Sequence, residues 1–208
     1  MKLLTLLILL LVTISTFSQI NLTKLGAQNL PKHLKYEGHI INAVKWLDRL
    51  GLNYVITSET GEIPTKGKDN DGLRDAYLYA YHYVVKNDST KLVWRIYDFS
   101  DGCVVDLNVY FVDKTFAVTD LDNNGLAEVW VMYKNSCHGD VSPVPTKIIM
   151  YEGNKKYALR GESKVQLSGK DYYGGTYKLD DNFKNGKAAF RQYAENLWNK
   201  HILETWNR

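Results

Sequence analysis

From Asp75 to Val84 tyrosine takes every second position: Tyr77, Tyr79, Tyr81 and Tyr83 alternate with Ala76, Leu78, Ala80 and His82. A period of two puts all four rings on one face of an extended strand, whereas a helix would scatter them around its axis. The same signature recurs along the chain. Tyr77 to Val85 and Leu92 to Phe99 flank Asn87-Asp88-Ser89-Thr90, which predicts a hairpin. Cys103 to Phe111 alternates, with Val105, Leu107, Val109 and Phe111 on one face and Asp106 and Asn108 on the other. Lys147 to Glu152 and Lys156 to Arg160 are joined by Gly153-Asn154, a second hairpin signal. Only the end changes period: Ala189, Phe190, Tyr193, Leu197 and Ile202 fall at helical spacing, predicting an amphipathic helix over about 187–204. Gly186 precedes it, and Trp198 and Trp206 supply aromatic area for docking. The expected fold is mainly β, an antiparallel meander or sandwich with a propeller blade as the alternative, carrying this C-terminal helix. The tyrosine face has two readings. Packed under the helix it is core; exposed, Tyr77, Tyr79, Tyr81 and Tyr83 would stack on sugar rings or a protein partner. Packing is the expected outcome.

The first residues bear on destination. Lys2 precedes an apolar run from Leu3 to Val12, and Thr16-Phe17-Ser18 places small residues before Gln19, as in a cleaved export signal. The run is too short for a bilayer span of about 20 residues. Residues 1–18 are read as a signal peptide, 19–37 as a polar N-terminal arm and 38–208 as a single β-rich domain with its helix. No later segment is long and apolar enough to cross a membrane. The expected location is periplasmic or secreted. Without Lys2 the chain keeps 25 of its 26 basic residues against 23 acidic ones, a balance that gives no electrostatic case for nucleic acid.

Cys103 and Cys137 are the two cysteines, and an even count in an oxidising compartment predicts a disulfide. Cys103 begins one β run and Cys137 ends another, Ala127 to Tyr133, so antiparallel pairing would bring the sulfurs together.

The segment with the most specific chemistry is Asp120-Leu121-Asp122-Asn123-Asn124-Gly125-Leu126-Ala127-Glu128. Side-chain oxygens recur at Asp120, Asp122, Asn124 and Glu128, Gly125 permits a sharp reversal, and Leu126 can offer its carbonyl. Such a hard-oxygen set suits calcium. Val131 stands where an EF-hand needs its bidentate acid, so the loop is similar instead to the calcium loops of integrin-type repeats, with their Asp-x-Asp-x-Asn-Gly-x-x-Glu pattern. A weak structural ion is expected here, with a Kd of about 0.1–1 mM, joining two strands near the disulfide. The loop also belongs to an internal similarity: Ala43 to Ile56 overlays Ala117 to Trp130 without a gap, predicting strand, turn, strand in both places. The first copy has Trp46 and Leu50 at ligand positions and should not take metal.

Other constellations are weaker. Cys137-His138-Gly139-Asp140 loses its cysteine to the disulfide, and Asp69-Asn70-Asp71-Gly72 reads as a turn. Asp98 and Asp106 are the nearest approach to a glycosidase carboxylate pair. No nucleophile elbow, Ser/His/Asp pattern or phosphate loop is present, so the expectation leans away from an enzyme.

Ala80-Tyr81-His82-Tyr83, the acidic loop, Cys137-His138-Gly139-Asp140-Val141-Ser142-Pro143, Lys147 to Gly153 and Lys156 to Gly161 occur in this order. Together they resemble a family of secreted bacterial proteins associated with surface polysaccharide (lipopolysaccharide) biosynthesis, across about 38–208. The resemblance implies an accessory role outside the cytoplasm, touching an envelope glycan or envelope protein. A glycan-processing hydrolase and a secreted protein-interaction or inhibitor module are the alternatives.

Overall fold

The computed structural model describes residues 20–67, 72–87 and 89–204. The leader at 1–18, the Asp69-Asn70-Asp71 stretch, Asp88 and Trp206 lie outside them. The first sheet is formed by β1 (Thr23–Lys24), β2 (His39–Asp48), β3 (Gly51–Glu59), β4 (Ile63–Pro64), β5 (Arg74–Lys86) and β6 (Ser89–Cys103). The second begins with β7 (Leu107–Phe111), β8 (Ala117–Thr119), β9 (Glu128–Cys137), β10 (Pro145–Glu152) and β11 (Lys155–Glu162). A separate hairpin follows, β12 (Lys164–Ser168) with β13 (Asp171–Gly174), before β14 (Tyr177–Leu179) returns to the second sheet beside β11. Two helices close the chain, α1 (Asp181–Asn185) and α2 (Ala188–His201). Every pairing between these named strands is antiparallel.

The two hairpins expected from turn chemistry are β5–β6 and β10–β11, and both extend beyond the predicted bounds. The run from Cys103 to Phe111 divides: Cys103 ends β6, and only Leu107–Phe111 pairs with β9. The internal similarity holds at the level of register. Ala43↔Ile56, Val44↔Val55 and Lys45↔Tyr54 recur as Ala117↔Trp130, Val118↔Val129 and Thr119↔Glu128. Each copy opens a run of four strands in chain order, β2-β3-β5-β6 and β8-β9-β10-β11. That is the connectivity of a propeller blade, but here two such sheets pack on each other as a sandwich.

Period-2 alternation supplies three apolar layers. Between the sheets lie Val44, Trp46, Val55, Leu78, Trp94 and Ile96 from one side and Val109, Phe111, Val129, Val131, Ile149 and Tyr151 from the other. Trp94 stacks on Tyr151 across this core at 4.4 Å between ring centres. His82 sits beside Trp46 and Trp94 and is held neutral, because burial pushes its pKa down to about 4. The outer face of the second sheet, with Trp130, Met132, Ile148 and Met150, is covered by Phe183 of α1 and by Phe190, Ala194 and Trp198 of α2.

The outer face of the first sheet corrects an expectation. The tyrosines pack beneath the N-terminal arm, not beneath the C-terminal helix: Leu30 and Leu34 join Tyr79, Tyr81 and Tyr83 in one buried cluster. The Tyr83 hydroxyl donates to the Lys35 carbonyl at 2.5 Å, and β1 pairs with β2. The reason is topological. The helices follow β14, an edge strand of the second sheet, so they are delivered to that sheet's outer face, while the arm leads directly into β2.

Cys103 and Cys137 form a disulfide between the end of β6 and the end of β9, so it joins the two sheets. It spans 34 residues of sequence. Closing a loop of that length removes unfolded-state entropy equivalent to roughly 3–4 kcal/mol. The double variant Cys103→Ser/Cys137→Ser should lose that much unfolding free energy in urea titrations. A loss below about 1 kcal/mol would show that the staple adds little beyond the core.

Candidate functional site

The loop between β8 and β9 is built by its own side chains. Asp120 accepts hydrogen bonds from the backbone N–H groups of Asn124 (3.0 Å) and Gly125 (3.1 Å), and Asp122 accepts from Asn124 N–H at 3.2 Å. Asn123 and Gly125 take left-handed backbone conformations, with φ of 55° and 76°. Asparagine tolerates this geometry and glycine pays nothing for it. At Gly125 a side chain would also collide with Arg49, whose Cδ lies 2.9 Å from where a Cβ would stand.

This fold gathers Asp120, Asp122 and Glu128, with one oxygen of each within 4.8 Å of the others. The triad could hold a metal ion. Glu128 is fully buried, and both its oxygens have partners: Thr119 Oγ1 donates to Oε2 at 2.6 Å, and Leu121 N–H is shared between Oε2 (2.9 Å) and Oε1 (3.2 Å). Burial raises its pKa to about 7, against these two hydrogen bonds, and the nearby charges of Asp122 and Asp120 push it further the same way. Asn124 is turned elsewhere: its amide oxygen accepts from Leu126 N–H, and its NH2 donates to Asp122 and Glu152. Of the set Asp120, Asp122, Asn124, Leu126 and Glu128, the three acids converge, while the Asn124 side chain braces the turn.

Two contacts were invisible to sequence reasoning. Lys187, at the start of α2, places its ammonium 2.5 Å from Asp122 Oδ2. The turn between β2 and β3 docks on the loop as well: Arg49 N–H donates to the Gly125 carbonyl, Arg49 Nη1 to the Asn124 carbonyl, and Ala127 N–H to Asp48. The overlay equates Asp48 with Asp122, so the two copies of the repeat meet at their turns. Trp46, Leu50 and Asn53 of the first copy and Ala127 of the second all donate to Asp48, leaving its carboxylate saturated.

The loop does not lie near the disulfide, contrary to expectation. Glu128 begins β9 and Cys137 ends it, about 30 Å apart at the rise of an extended strand. The remaining candidates also find their places. Both oxygens of Asp98 are taken, by Lys147 (2.5 Å) and by Asn135 (2.6 Å), while Asp106 is exposed beside the disulfide. His138 bonds Ser136 and the Ser142 carbonyl, and Gly139 packs on Val105, so this motif folds on itself. Tyr79, Tyr81 and Tyr83 are buried and Tyr77 is half-buried. Next to them, Tyr97 and Phe99 of β6 remain exposed, at 45% and 41%.

The fold and the loop define an antiparallel two-sheet sandwich whose sheets meet at an acidic turn. Comparisons with protein-family models, curated proteins and solved structures found no match. Among the described residues no helix is long and apolar enough to cross a membrane.

Without a cation, the raised pKa of Glu128 makes the fold prefer the protonated acid. Its contribution to stability is complete below its ordinary 4.5 and is lost as pH rises through about 7. In chelator, wild type should therefore lose stability between pH 4.5 and 7 relative to Glu128→Gln, measured by urea titration across that range. Parallel pH profiles for the two proteins would refute this account of Glu128.

Proposed function

We propose that this is an exported, non-catalytic protein of the bacterial cell envelope, stabilised by calcium and serving surface polysaccharide production from outside the cytoplasm. The observation that carries the calcium reading is the Asp120–Asp122–Glu128 triad, seated where both sheets and α2 meet. A divalent ion is favoured by what the loop otherwise requires. Three clustered carboxylates are balanced by one lysine and by partial protonation of a buried glutamate, and a doubly charged ion would replace both. All the donors are oxygens, which favours calcium or magnesium over zinc or copper. In this reading Asp120, Asp122 and Glu128 hold the ion, and its contribution is structural, fixing the β8–β9 connection against the β2–β3 turn.

Export is supported by the leader-like residues 1–18 and by the disulfide, which belongs to oxidising compartments. The polysaccharide link is supported by the resemblance carried by Cys137 to Pro143 and the flanking motifs. A hydrolase reading is disfavoured by Asp98, whose oxygens are already committed to Lys147 and Asn135.

Thermal melts test the ion. Calcium at 5–10 times a Kd of about 1 mM should stabilise by roughly 1–1.4 kcal/mol relative to chelator. Asp122→Ala should abolish the shift. Lys187→Ala should tighten calcium binding, because the ammonium competes for Asp122. An unchanged melt in all three proteins would reduce the loop to a turn. The biological link is tested separately by deleting the gene and quantifying surface polysaccharide, which should fall or shorten. Normal amount and length would remove the polysaccharide role while leaving the ion untouched.

A further inference from the structure

The arm covers only part of the first sheet's outer face. Its His33 reaches Thr90 near the start of β6, but further along that strand the rings of Tyr97 and Phe99 stay exposed. Tyr79 and Tyr97 are cross-strand neighbours, as are Tyr77 and Phe99. Ring centres lie 5.4 Å apart for Tyr79–Tyr97, 5.7 Å for Tyr77–Phe99 and 5.2 Å for Tyr97–Phe99, and no pair is inclined by more than 26°. Tyr77, Tyr79 and Tyr97 line a groove of about 830 Å³.

The polar lining has a definite sign. Among the described residues Glu37, Asp75 and Asp101 line the groove together with Lys66, and Arg95 stands over the Tyr97 ring at 5.7 Å. Asp75 is 7% exposed and is fixed from several sides: Thr65 Oγ1 and the Gly102 N–H (2.8 Å) donate to it, and the Tyr77 hydroxyl donates at 3.3 Å. The Thr65 and Gly102 bonds hold its carboxyl below the ordinary range, so it is an ionised acceptor. Burial, reinforced by Glu37, pushes the Tyr79 hydroxyl up to about 12, so it stays a protonated donor.

Three ligand chemistries can be separated on this geometry. An anionic ligand would meet three carboxylates against Lys66 and the Arg95 beside Tyr97 among the described residues. A lone cationic side chain would be held best by ring faces converging on one point, as in an aromatic cage. Rings this close to parallel cannot converge; they offer successive apolar surfaces to an extended ligand. Sugar rings match the arrangement, because each pairs an apolar C–H face with hydroxyls that carboxylates and tyrosine hydroxyls can bond. We propose that this groove, together with the Phe99 ring beside Tyr97, binds a glycan free of acidic groups, with Tyr97 and Phe99 stacking on its sugar rings while Asp75, Asp101 and Glu37 accept bonds from its hydroxyls. The geometry defines the ligand class; that the glycan is an envelope polysaccharide rests on the function proposed above.

The test uses the whole protein on an array of neutral and amino-sugar oligosaccharides, with polygalacturonate and heptalysine as competing chemistries. A neutral or amino-sugar probe should bind, and Tyr97→Ala and Phe99→Ala should each weaken it at least tenfold with an unchanged melting temperature. Asp101→Asn should weaken it several-fold. Binding of no such probe, a preference for polygalacturonate or heptalysine, or unaltered affinity in both aromatic variants would overturn the proposal. Polysaccharide extracted from the producing cells' envelope separates the two levels. Binding that is equal for wild type and Tyr97→Ala sinks the groove and leaves the envelope role standing, whereas no binding by wild type removes the glycan contact from both.

Discussion

The compensation of charge at the acidic loop is the constraint around which much of this structure is arranged. Glu128 is fully buried beside two further carboxylates, and unpaired buried charge is among the most costly arrangements a fold can contain. Every nearby element answers it. Backbone N–H groups of Leu121, Asn124 and Gly125 point inward, Thr119 donates its hydroxyl, and α2 begins with a lysine that reaches Asp122. The Lys187 side chain makes no capping bond to its helix. Its side chain is committed to the loop, which ties the start of α2 to the second sheet independently of the apolar contacts further along.

Duplication explains why the loop sits where it does. The two strand–turn–strand copies keep the same pairing register, and their turns meet across the interface between sheets. Asp48 and Asp122 occupy equivalent positions but have diverged in role. Asp48 is saturated by four N–H donors, one of them from the other copy. Asp122 has acidic neighbours in place of Trp46 and Tyr54, and so needs a cation. The sandwich is thus clipped at one end of β9 by turn docking and at the other by the disulfide. These restraints are complementary, since a cross-link at one end alone would leave the sheets free to splay at the other.

What was legible in the sequence was local. The alternation of Tyr77 to Tyr83, the Gly153-Asn154 turn and the helical spacing of Phe190, Tyr193 and Leu197 each involve neighbours in the chain, and each forms the expected element. The disulfide was legible from the paired cysteine count, and β7 pairing with β9 brings Leu107 opposite Cys137, although Cys103 itself ends β6 of the other sheet. What covers each sheet was not. The arm's core residues Leu25, Leu30 and Leu34 lie in short irregular segments around a two-residue strand and a single turn, so no strand or helix repeat marks them as core. The Lys187–Asp122 pair and the Arg49 contacts join distant segments by topology that no local pattern encodes. The groove shows both limits at once: Tyr77 and Tyr79 stood out in a strand pattern, while Glu37 comes from the arm and Tyr97 and Asp101 from β6.

The uneven cover on the first sheet bears on what β6 is for. It is an edge strand of 15 residues that pairs with β5 alone, and long edges invite pairing with other chains. Several features blunt this one: a register shift near Leu92, charges at Lys91, Arg95 and Asp101, and an Asn135 side chain that donates to the Phe99 carbonyl. Edge protection accounts for the charges and for the bulge. It does not account for Tyr97 and Phe99, because aromatic side chains on an open edge make it more adhesive. Nor does core packing, since both rings stay more than two-fifths exposed while Tyr79 beside them is buried. The arm leaves these two rings open and stops where the carboxylates begin. A recognition surface reconciles an adhesive face with a guarded edge: the backbone is protected from strands, and the rings remain available to a ligand that cannot pair with them.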